Sequence, residues 1–153
     1  MTAEPWLRRF LLAAAAATHA AAAAELVFVE HYEGPWQVAP FGMIAVGLVA
    51  VAWAWAAPSR GSLMALRWAG ALAVVGSLIG VVQHAAGNLD FAREVSPGAG
   101  AGEMAWEALS GGYPLLAPGM IALAGLLAAA ATYRHSALAG AGRALEEGAA
   151  LTA

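Results

Sequence analysis

The chain has 153 residues, 61% hydrophobic and 11% charged, with mean hydropathy +0.69. Soluble domains carry about 25% charged residues, and small ones bury only part of their surface, so the composition excludes an ordinary water-soluble fold and points to lipid. A formal net charge of -3 without a basic patch argues against nucleic acid, and the absence of Cys excludes disulfides, thiolate metal sites, Fe–S clusters and Cys nucleophiles.

Four segments are long enough to cross a hydrocarbon core of about 30 Å, which takes about 20 residues of helix. The first, about residues 10–29, is rich in alanine and follows Arg8 and Arg9. His19 lies near its middle and Glu25 towards its outer end. Ionisable residues inside a span are expensive and mark candidate function. At 100° per residue, Ala23, Leu26, Glu30 and Glu33 project within about 40° of His19, which predicts a polar stripe from mid-membrane to the outer surface. The same stretch, LRRFLLAAAAATHAAAAAE, also resembles a secretory signal cleaved before Glu25, which would remove residues 1–24. It runs into VFVEHYEG, residues 27–34, where His31 stands among acidic neighbours.

The second span, about 38–57, opens with Pro40 and Gly42, and the prolines of this and the fourth span suit a first helical turn. Arg60 and Arg67 flank the connection to the third span, about 63–86, which contains GSLIG (Gly76–Gly80). That small-xxx-small pattern lets another helix approach closely. Ser77, Gly80, His84 and Asn88 share one face of this span. The connection at 88–112 holds a flexible SPGAGAG and then EMAWEAL, which predicts a short interfacial helix over about 103–109. The fourth span, about 113–132, opens with Pro118 and Gly119, and a small-residue-rich tail covers 136–153.

Six of the seven arginines fall on one side of these spans and only Arg93 falls on the other. The positive-inside bias therefore places both termini in the cytoplasm, in a multi-pass protein of the cell (inner) membrane. The opposite face carries Glu30, Glu33, Asp90, Glu94, Glu103 and Glu107. Trp6, Trp53, Trp55, Trp68 and Tyr133 cluster at the inner boundary, and Tyr32, Trp36, Trp106 and Tyr113 at the outer one, where amphipathic rings settle.

FVEHYEG aligns with VVQHAAG, so that His31 falls on His84, and residues 39–52 align with residues 117–130. The expected fold is one all-α membrane domain over 1–153. It is a four-transmembrane-helix bundle built by tandem duplication of a two-helix unit, with parallel repeats. The polar stripes of the first and third helices are then expected to meet inside it.

The candidate site is a cluster near the outer boundary of His31, His84, Glu30, Glu33 and Asp90, with His19, Glu25 and Ser77 as intramembrane polar residues. Imidazole with carboxylate suits a divalent transition metal such as Zn²⁺, Cu²⁺ or Fe²⁺. A haem held by His31 and His84 is a variant with less support, because the first span offers little aromatic packing. This reading makes the chain an accessory or redox/metal-handling subunit. The alternatives are a purely structural or assembly subunit of a membrane complex or homo-oligomer, or a proton or cation transporter using His19 and the acidic residues. No nucleophile–base spacing, P-loop or dinucleotide motif occurs, so no catalytic residue is assigned and an enzyme is the least supported class.

Overall fold

A computed structural model describes residues 5–139, so most of the expected tail, including Arg143, lies outside the described residues. Within them the chain is helical and contains no strand. The helices are α1 (Pro5–Phe28), α2 (Pro35–Ala56), α3 (Arg60–Val95), α4 (Ala101–Ser110) and α5 (Ala117–Ala131). Three of them, α1, α2 and α3, are long and apolar enough to cross a membrane, while α5 is apolar but shorter.

Local chemistry sets the ends of each helix. Gly34 is extended before α2 and Pro35 occupies the first turn, where its missing N–H costs nothing. Pro40 therefore sits inside α2 and not in its first turn, a correction to the expected start at residue 38. Ser59 caps α3 reciprocally with Ser62: Ser62 N–H donates to Ser59 Oγ at 3.2 Å and Ser59 N–H to Ser62 Oγ at 2.9 Å.

The third helix runs well past residue 86, so residues 88–95 are helix and not connection. Asn88 and Ala92 are buried where α4 packs on this extension, and Asp90 pairs with Arg93 at 3.1 Å along its exposed side. Pro97 disfavours helix at Ser96, and there the helix stops. At 1.5 Å per residue, 36 residues make a rod of about 54 Å. The short helix expected over about 103–109 is present as α4, with Trp106 and Leu109 exposed.

Helices α1 and α3 each pack against both α2 and α5, and their backbones do not approach each other directly. Neighbours run antiparallel. Arg8, near the start of α1, donates to the Tyr133 and Arg134 carbonyls just past α5, and Arg67 Nε donates to Thr132 Oγ1 at 2.8 Å.

Alanine builds most of the core. One layer gathers Leu12, Ala50, Val51, Leu63, Leu66 and Ala128 towards the arginine-rich end, and a second gathers Ala22, Ile44, Ala73 and Ile121 towards the other. Small residues let the helices approach closely. A Cβ added at Gly70 would lie 2.7 Å from the Gly125 carbonyl oxygen, so α3 and α5 meet backbone to backbone. The GSLIG glycines receive side chains instead: Met43 lies on Gly76 and Pro118 on Gly80.

Candidate functional site at His31 and His84

Helix α1 ends two residues before Glu30, and that ending places His31. His31 N–H donates to the Leu26 carbonyl at 2.8 Å and Glu30 N–H to the Val27 carbonyl at 3.1 Å, while Glu30 adopts φ 54°. These are the paired bonds of a Schellman ending with its left-handed residue in place. That residue is usually glycine; a side chain there costs about 1–2 kcal/mol. The predicted polar stripe therefore stops at Phe28. Beyond it the chain turns, and the helical projection from His19 to Glu30 and Glu33 no longer applies.

The turn brings His31 to His84. Their ring centroids lie 6.4 Å apart, edge to face at 64°. His84 is fixed from the other side. Asn88, one helical turn further along α3 and only 2% exposed, clamps Tyr113. Its Oδ1 accepts from Tyr113 N–H at 2.7 Å, and its Nδ2 donates to the Tyr113 carbonyl at 2.9 Å and the Ala108 carbonyl at 3.3 Å. Gly111 must lie bare beside this clamp, since a Cβ there would be 2.6 Å from Asn88 Oδ1. The clamp sets the Pro114 carbonyl 2.9 Å from His84 Nδ1. A carbonyl only accepts, so His84 Nδ1 carries a proton and Nε2 is the nitrogen left free of this contact.

Burial, and then the neighbouring His84, holds the His31 imidazole below its ordinary pKa. A neutral imidazole whose ring is oriented by a carbonyl is the form that ligates metals.

The three candidate carboxylates do not join the pair. Glu30 and Glu33 are exposed, and Asp90 is engaged with Arg93. Among the described residues no group of three or more His, Asp or Glu side chains is placed to share a metal ion. Glu25 is exposed on α1. Sequence reasoning put Asn88 on the face of His84 but missed its partners at Tyr113 and Ala108 and the Pro114 carbonyl that meets His84. The available signal was an asparagine four residues after a histidine in an apolar helix.

His19 is 1% exposed and lies flat on the bare backbone of Gly47 in α2. Its Nδ1 and Ser77 Oγ are buried without a hydrogen-bond partner. Packed core lies on either side of His19 along the helices.

Comparison with protein-family models, characterised proteins and solved structures found no match, so the functional reading rests on the site itself.

Proposed function

We propose that the chain is a small multi-pass protein of the inner membrane that acts as an accessory, metal-handling subunit, with His31 and His84 together holding a divalent transition metal on its outward face. The carrying observation is the 6.4 Å approach of two imidazoles, one of them with its Nδ1 proton committed to a carbonyl. Metal–nitrogen bonds of about 2.0–2.1 Å put two rings on one ion roughly 5–6 Å apart, so small ring movements suffice. Two imidazoles suit Cu²⁺ and Zn²⁺, and the remaining positions stay open to water or to a donor from a partner, as handing on a metal requires. Haem is a poorer fit, because Pro114 and Tyr113 crowd His84.

In this reading α1, α2, α3 and α5 all cross the membrane with both termini cytoplasmic. The arginine distribution supports that orientation, as does the tie of Arg8 to residues just past α5. The duplication is supported by the symmetric placing of α2 and α5, each between α1 and α3. Ile44 and Ile121, equivalent in the alignment, are buried in the same layer.

The test is metal content and Zn²⁺ titration of the detergent-purified full chain beside His31→Ala and His84→Ala. The expected result is one ion per chain, lost in both variants; binding that neither variant weakens would sink the proposal.

A second reading, a purely structural subunit, is favoured by one observation. Ala13, Ala17, Ala21 and Ala24 form an exposed stripe along α1, smooth enough for a helix of another subunit. Cross-linking from Ala17→Cys, in a chain otherwise free of cysteine, distinguishes a partner from lipid at that stripe.

A further inference from the structure

The arginine-rich end holds a cleft that the metal pair does not use. Its volume is about 260 Å³, and Arg8, Arg9, His135 and Ser136 stand around a floor that includes Leu12 and Leu66. Arg8 is held in place by two bonds of 3.2 Å from its Nη2 to the Tyr133 and Arg134 carbonyls. Its Nε is sealed from solvent and has no acceptor among the described residues. A buried cationic N–H without an acceptor is costly and calls for an anion. Arg9 is held over the Trp55 ring at 6.0 Å, so its charge is also positioned.

Among the described residues no Asp or Glu lines the cleft, and Glu25, Glu30, Glu33, Asp90, Glu94, Glu103 and Glu107 all belong to the outer half. Burial, and then the charge of Arg8, lowers the His135 pKa. His135 Nδ1 accepts from Ala137 N–H at 3.2 Å, so the neutral ring presents its proton at Nε2 as a further donor.

We infer that this cleft binds the phosphate headgroup of an anionic phospholipid of the cytoplasmic leaflet. Arg8 and Arg9 take the phosphate through charge-assisted hydrogen bonds, which guanidinium groups make in pairs. The leucine floor takes the first part of an acyl chain, which a soluble phosphate lacks. Basic pockets between helices at the cytoplasmic boundary bind anionic headgroups in this way. The inference rests on the membrane orientation proposed above and not on the metal pair, so either can fail alone.

The test is native mass spectrometry of the full chain in detergent with matched amounts of phosphatidylglycerol or phosphatidylcholine, alongside thermal shifts. The expected result is one retained phosphatidylglycerol, favoured over phosphatidylcholine by about tenfold. Arg9→Gln, at an exposed position on α1 beside Trp55, lowers that preference about fivefold. Arg93→Gln, at the opposite end, leaves it unchanged. Equal retention of the two lipids, or no effect of Arg9→Gln, overturns the inference. Inorganic phosphate stabilising the chain as well as the lipid does overturns it in favour of a soluble anion. A preference that emerges only after Glu146→Gln and Glu147→Gln overturns it in favour of the chain's own acidic tail.

Discussion

Gly47→Ala tests the packing around His19, because its effect should reverse sign with the residue opposite. In the native chain the new Cβ would collide with His19 Nε2 and would lie 2.8 Å from Cε1 and 3.0 Å from Cδ2. The ring is 1% exposed and enclosed by core, so it has nowhere to move. Overpacking of this kind costs up to about 3 kcal/mol, and replacing a helical glycine returns about 1, for a net loss of roughly 2 kcal/mol. His19→Ala alone leaves a void and should cost about 2–3 kcal/mol. In that background Gly47→Ala meets no ring and should stabilise by about 1 kcal/mol, giving a coupling of about 3 kcal/mol. The assay is reversible unfolding of the full chain in mixed micelles, followed by far-UV circular dichroism across the four proteins of the cycle. Additivity within about 0.5 kcal/mol would refute the packing account and reopen His19 as a hydrated, mobile group.

Three further outcomes follow from the two ends of the bundle. Asn88→Ala removes the Tyr113 clamp and should cost about 1–3 kcal/mol. It should also raise hydrogen exchange over residues 101–116 while leaving α1 unchanged; unchanged exchange at Tyr113 would contradict it. Glu30→Gly relieves the left-handed φ of 54° and should stabilise by about 0.5–1 kcal/mol. Zn²⁺ affinity should survive this change, because the carboxylate is not at the pair, and a tenfold loss of affinity would return Glu30 to the ligand set. Lastly, His31 and His135 both have pKa values lowered on folding, so the unfolded chain takes up protons that the folded chain refuses. Their contribution is fully present above the ordinary histidine value of about 6.5 and is lost as pH falls below it. Melting temperature should thus be level from about pH 7 to 8 and fall between about 6.5 and 5, less steeply in His31→Gln.

The long helices were legible because uncharged alanine and leucine runs have few other structures available to them. The outer half of α3 was not, because Asn88, Asp90, Arg93 and Glu94 read as loop by polarity. Burial of Asn88 and Ala92 where α4 packs on the helix overrides that reading, and the true stop was the Ser96–Pro97 pair. The meeting of His31 with His84 was visible in the aligned sequences, yet the geometry behind it was not. His31 reaches the site from a turn and His84 from within a helix. A helical projection carried past Phe28 put Glu30 and Glu33 on the wrong side of that turn. Which helices touch was also beyond the pattern, since apolar faces alone do not say that α2 and α5 stand between α1 and α3.

The most direct test of the metal pair is electron paramagnetic resonance of the full chain loaded with one equivalent of Cu²⁺, beside His31→Ala and His84→Ala. Shared ligation predicts couplings from two imidazole nitrogens in the native protein and from one in each variant. A native spectrum with a single coupled imidazole, or one that both variants reproduce, would contradict it.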